Sequence, residues 1–260
     1  MRRLALRTIA LGYLAIVLLG PLAMIFFKTF EHGFGAFWDA VTAHESIVAF
    51  KTTLLITAIA VPLNTIFGIV CGLAIVRRRF PGKGIVNAFI DLPLAVSPVV
   101  VGVSLFILYG RGGWFYGVFE NHGIQILFAL PAMVIATMFV SLPFVAREVI
   151  PTLREVGEEQ EQAAHTLGAS GWQTFWRITL PSIRWAVIYG VVLTTARCLG
   201  EYGAVAIVHG YKTTATLQVQ DYYENFNQTG AYAVSLMLAV VAVIVLISMI
   251  LIRPREVEAA

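Results

Sequence analysis

Apolar runs of about twenty residues or more alternate along this chain with short polar stretches. The runs cover about 8–27, 50–76, 86–109, 124–145, 186–208 and 232–252, and each is long enough to cross the roughly 30 Å hydrocarbon core of a bilayer. They predict an all-α membrane protein with six transmembrane helices. The longest polar connection, 147–185, carries Glu148, Glu155, Glu158, Glu159 and Glu161 near its start. A surface this polar between two spans is expected to face water and to meet something there.

Local signals divide that connection into two short helices. Residues 153–167 are mostly good helix formers, and Gly168 stands where a left-handed C-terminal residue is expected. Ser170 and Gln173 have the spacing of a capping box. Trp172, Phe175, Trp176 and Leu180 then share one face of a second helix, predicted to end before Pro181. Ala163, Ala164, Leu167 and Gly168 put mostly small side chains at the join, where another backbone can approach.

Within the spans, breakers and charges stand out. The second holds Pro62 and Asn64, breakers tolerated only where other helices satisfy the freed backbone groups. Pro93 and Pro98 predict a kink in the third, with Asp91 close enough to the basic turn at 77–83 for water or an arginine to reach it. The fifth contains Arg197 and Glu201, an i, i+4 pair that can neutralise itself. Either charge alone costs about 2.5–3.5 kcal/mol at mid-span. With Gly200 and Gly203 beside them, these residues are candidates for a substrate path in which backbone N–H groups face an anion; the other reading is a salt bridge that locks helix packing.

Composition agrees. The chain of 260 residues is 58% hydrophobic and only 13% charged, with a mean hydropathy of +0.81. That excludes a soluble domain and, with no basic block interleaved with aromatics, a nucleic-acid binder. Charge placement says more than the net +3. On the six-span layout Arg2, Arg3, Arg7, Arg77, Arg78, Arg79, Lys83, Arg147, Arg154, Arg177, Arg184, Arg253 and Arg255 fall on one side. Lys28, Lys51, Arg111 and Lys212 fall on the other. Thirteen against four, with Arg197 inside a span, puts both termini and the 147–185 connection in the cytoplasm. The long first run, with no small-x-small cleavage pattern after it, is expected to stay as an uncleaved span.

Catalytic chemistry finds no support. The nearest approach to a phosphate loop, Pro81-Gly82-Lys83-Gly84, lacks the first glycine and the final hydroxyl. His32, His44, His122, His165 and His209 are scattered without ligand spacing, and Cys71 and Cys198 sit in apolar runs as small packing residues. A secondary transporter accounts for six spans and an intramembrane charge pair but gives the cytoplasmic connection no task. A membrane enzyme needs a convergent set that these residues do not supply.

The connection also resembles the "EAA" loop of ABC-importer permeases, whose pattern is E-A-A-x-x-x-G, nine residues, then I-x-L-P. Ala163, Ala164, Gly168, Ile178, Leu180 and Pro181 match it; Gln162 stands where the family usually has Glu, with Glu161 as the neighbouring carboxylate. The stretch "GASGWQTFWRITLPSIRWAVIYGVVLTTARCLGEYGAVAIVHG" and "SLPFVAREVIPTL" before it are similar to W-type permeases of sulfate/thiosulfate importers, a likeness over most of 85–252. The resemblance implies one type I ABC permease domain over 1–260, with its core at about 48–252 and a coupling loop at 147–185. It implies a bacterial inner-membrane location. It also implies partners: a cytoplasmic ATPase dimer that binds the ATP, a T-type second permease and a periplasmic sulfate-binding protein, all in membrane lipid. The permease itself needs no cofactor. Molybdate and other oxyanion permeases share the loop, so a different oxyanion is the alternative substrate.

Overall fold

The computed structural model describes residues 2–120 and 122–252. Asn121, the side chains of Arg2 and Arg3, and residues 253–260, with Arg253 and Arg255 of the charge count, lie outside what is described.

Described secondary structure is helical throughout. In chain order the helices are α1 (Arg2–Phe30), α2 (Gly33–Thr42), α3 (His44–Arg77), α4 (Lys83–Ala95), α5 (Pro98–Tyr109), α6 (Tyr116–Glu120) and α7 (Leu130–Ser141). There follow α8 (Pro143–Val156), α9 (Glu159–Thr166), α10 (Gly171–Thr174), a π-helical turn (Phe175–Thr179), α11 (Leu180–Leu199), α12 (Val205–Val208), α13 (Ala215–Glu224) and α14 (Gln228–Ile252). Five stretches are long and apolar enough to cross a membrane: Arg7–Phe30, His44–Arg77, Leu130–Val156, Gly171–Leu199 and Gln228–Ser248. The pair α4 and α5, bent by 110°, brings the number to six when taken as one broken span.

The expected kink between Pro93 and Pro98 is therefore a break. Pro98 opens α5 at its first position and Val96 and Ser97 leave the helical region, because the residue before a proline is pushed toward extended backbone. The fourth span runs 130–156 rather than 124–145, and the fifth 171–199 rather than 186–208. Both shifts lengthen helices into the polar connection. Pro143 and Pro181 do not stop them, since each stands in the first turn of its helix, where no intrahelical N–H bond is required.

The chain divides into two compact units. The first comprises 1–51 and 213–241. Here the end of α1 meets α2 through Phe30, whose ring lies 5.0 Å from Phe26 and 5.2 Å from Phe37. Ser46, in the first turn of α3, donates to Ala40 O at 2.7 Å and shares a 2.9 Å hydrogen bond with the Tyr222 hydroxyl of α13.

The second unit, 52–212 with 242–260, is built around α8. Val145, Val149 and Leu153 pack with Ile183 and Ala186 of α11, and Ile69, Leu73 and Val76 of α3 close over them. On the other side Ala146 and Ile150 meet Ile75 of α3 and Ile90 of α4. Contact at Val145 is so close that a Cβ added at Gly68 or Gly190 comes within 2.7 Å of it. Without water to strengthen apolar attraction, helices in a membrane gain by such close backbone approach. Polar atoms join the same helices: Asn64 donates to Ser141 Oγ at 2.8 Å and to Met138 O at 3.0 Å, so a breaker of α3 satisfies part of α7.

Candidate functional site

The 147–185 connection folds as an elbow between two long spans. Its expected first helix, 153–167, is instead two, because Gly157, with φ +73°, ends α8 and α9 starts afresh at Glu159. Gly168 does adopt the left-handed conformation, φ +85°. Ser170 Oγ accepts from Gln173 N, and the Gln173 side chain accepts from Ser170 N at 2.9 Å, so the capping box is formed. The second helix does not end before Pro181: it widens into the π-turn and continues as α11. That wide turn makes room for proline, whose ring meets the carbonyl four residues back, here Arg177 inside the turn.

The residues at the elbow separate into an outer and an inner set. Gln162, Ala163, Thr166, Leu167 and Gly168 are exposed, Leu167 by 88%. Ala164 is buried. The pair of alanines thus divides its work, one facing out and one packing inward. Trp172 and Trp176 are exposed and meet edge-on at 5.6 Å, and half-buried Phe175 touches both rings at 6.2 and 5.5 Å, so these three share a face as expected; Leu180, also half-buried, follows the π-turn. Ile178 is half-buried within that turn and Pro181 is exposed.

Glu161 turns away from this outer face. Its carboxylate accepts from Arg77 Nε at 2.9 Å and Nη2 at 3.2 Å, and from Thr179 Oγ1 at 2.8 Å. Arg77, the last residue of α3, also donates from Nη1 to Leu153 O at 3.0 Å and from Nη2 to Gly157 O at 2.6 Å, meeting two carbonyls at the end of α8. The two side chains are only 12% and 17% exposed. A cavity of about 380 Å³ adjoins them, lined among others by Arg78, His165, Thr174 and Phe175. Neither Arg77 nor Thr179 is marked by any local motif, and Arg77 lies 84 positions from Glu161; only the fold reveals the clamp. Asp91 is likewise met by an arginine from a distant helix, Arg147 Nε at 2.5 Å.

Arg197 and Glu201 do pair, at 2.6 Å. They stand at the C-terminal end of α11, not in mid-helix, because Gly200 caps it and the chain is unwound until Val205. Glu201 is 3% exposed and also accepts from Ala204 N at 2.9 Å, capping the next turn with its own side chain. This amide, at least, is already engaged. Arg197 keeps a side chain 31% exposed. Gly203 lies under the α4–α5 break: a Cβ there would come 3.2 Å from Pro98. The structure thus brings Gly203, two residues after the Arg197–Glu201 pair, to the broken span, while the residues singled out in 161–181 lie along the elbow.

Residues 64–257 match the family model described as the inner membrane component of binding-protein-dependent transport systems. The sulfate transport system permease protein CysW of Synechococcus elongatus is 46% identical, covering 97% of this chain and 90% of the relative. The protein of the same name from Escherichia coli K12 is 40% identical over 89% of this chain and 81% of its own. A solved bacterial alginate ABC transporter superposes with a TM-score of 0.80 over 94% of this chain and 91% of that chain, at 18% identity. The MetNI methionine ABC transporter gives 0.61 over 79% and 93%, also at 18%. These two share the fold. The chain belongs to the inner-membrane permease family of binding-protein-dependent ABC importers.

Proposed function

We propose that this chain is the W-type permease of an importer for sulfate and thiosulfate. The observation that carries the reading is the 46% identity with a sulfate transport permease, which runs through both the elbow and the charged end of α11. Permeases named CysT, the other subunit type, are less similar, at 32% in Escherichia coli, and this favours pairing with a T-type partner. Two cytoplasmic ATPase subunits hold and hydrolyse the ATP, and a periplasmic binding protein delivers the anion.

In this reading the outer face of the elbow, Gln162, Ala163, Leu167 and Gly168, docks in a groove of the ATPase. An apolar tip as exposed as Leu167 is left uncovered by the described residues and suits such a groove. Both termini and the elbow lie in the cytoplasm, from the charge count. Arg197, with Gly200, Glu201 and Gly203 around it, borders the anion's path where the helices α4, α5 and α11 are all interrupted. Such interruptions at membrane depth are tolerated where backbone lines a cavity or is buried in protein.

The test is growth of a strain lacking the chain on sulfate, thiosulfate or cysteine as sole sulfur source, with uptake of labelled sulfate alongside. Expected are loss of uptake and growth on the first two, normal growth on cysteine, and recovery when the chain is restored. Normal sulfate uptake together with a defect confined to molybdate would transfer the assignment to that oxyanion.

A further inference from the structure

We propose that Arg77 is the positioning residue of the coupling surface, the link by which movement of the elbow reaches the spans. This deepens the coupling reading and rests on it. One guanidinium at the end of α3 holds the last carbonyls of α8, at Leu153 and Gly157, and the first-turn carboxylate of α9, Glu161. Glu161 in turn holds Thr179 in the π-turn before α11. Three long helices are thus joined to an eight-residue one through a single ion pair.

The geometry makes α9 a lever. It is set off by Gly157 and Glu158 on one side and by Leu167 to Ser170 on the other, and it buries only Ala164. Its outward residues, Gln162 and Ala163, follow Glu161 directly, so a push on the docking face bears on the carboxylate that Arg77 holds. The pair is shielded from water, at 12% and 17% exposure, which keeps it stiff and little screened. Lysine cannot replace the arginine: the contact uses three nitrogens in a planar fork to four acceptors, and an ammonium is a point charge.

A role in coupling predicts a change in stoichiometry, not only in amount of protein. The complete importer, with both permeases, ATPase and binding protein, is reconstituted in vesicles, and ATP hydrolysed per sulfate imported is measured for Arg77→Lys and Glu161→Gln. Arg77→Lys is expected to assemble normally and raise that ratio by about fivefold or more, the lower range of couplings between sites. Glu161→Gln, which keeps the acceptor oxygen for Thr179, should move it the same way by less. An unchanged ratio in both variants overturns the proposal, and so does loss of the assembled complex in both, which would make the clamp a fold element. Gly168→Val run in parallel keeps the two readings apart: normal uptake in that variant removes the coupling surface itself, whatever Arg77→Lys does.

Discussion

Gly168 shows how a single residue's requirement is tested cleanly. At φ +85° it has no heavy atom within 4 Å of where a Cβ would stand, so substitution adds backbone strain without a clash inside the chain. Valine there costs about 1–2 kcal/mol in a left-handed conformation, whereas asparagine tolerates it. Gly168→Asn is expected to keep uptake, and Gly168→Val to insert at near-normal level but abolish it; equal uptake in the two would show that the conformation is immaterial. The charged pair gives a second residue-level prediction. Glu201→Ala leaves the Arg197 guanidinium without its counter-charge and the Ala204 N–H without its acceptor. Removing one partner of a buried pair costs about 3–5 kcal/mol, discounted here because Arg197 is 31% exposed. Folded complex should fall in Glu201→Ala and recover in part in the double alanine variant; measured by detergent-resistant complex yield, no recovery would argue against mutual neutralisation. What was legible at this scale was local. Steric rules for L-residues single out Gly168, and spacing singles out the Ser170 cap, but nothing near Glu161 in sequence announces Arg77 or turns the carboxylate inward.

Between residues and the whole, the element that decides the site is the π-turn at Phe175–Thr179. It adds to the helical turn a residue that an α-helix would not contain, and so sets the angle at which the elbow meets α11. Deleting Ile178 takes out that extra residue and closes the wide turn to α-helical spacing, which changes the angle at which the elbow meets α11 and the reach from Thr179 to Glu161. Membrane insertion should survive, since α11 keeps its apolar length, while uptake is lost and the ATPase no longer copurifies. Normal uptake in the deletion would mean that the register is free. The sequence pattern predicts a helix end before Pro181, and a proline after an apolar face is ordinarily such a signal. Continuation was decided by tertiary packing: Ile183 is wholly buried against Val145, Val149 and Leu153, and that burial outweighs a local breaker placed where its missing N–H costs little. The break at Gly157 escaped for the converse reason, a glycine among good helix formers being only mildly unfavourable by propensity.

At the scale of the molecule, hydropathy accounts for five of the six expected spans and leaves one crossing to be tested, that of the bent pair α4 and α5. If the pair crosses the membrane, residues before and after it lie on opposite sides; if it re-enters, they share a side. Four exposed positions in one compact unit discriminate: Arg79 before the pair, Trp114 after it at 86% exposure, Leu167 on the elbow at 88%, and Tyr211 beyond α11, fully exposed. Single cysteines are placed at each in a chain lacking Cys71 and Cys198, and intact cells are treated with a membrane-impermeant maleimide before and after permeabilisation. Leu130–Val156 and Gly171–Leu199 are each long and apolar enough to cross once, which puts Trp114 and Tyr211 both opposite Leu167. The thirteen-to-four distribution of basic residues then predicts labelling of Trp114→Cys and Tyr211→Cys from outside, and of Arg79→Cys and Leu167→Cys only after permeabilisation. Outside labelling of Arg79→Cys together with Trp114→Cys would make α4 and α5 re-entrant and reduce the crossings to five. Outside labelling of Leu167→Cys would remove the elbow from the compartment that holds ATP, and with it the coupling surface.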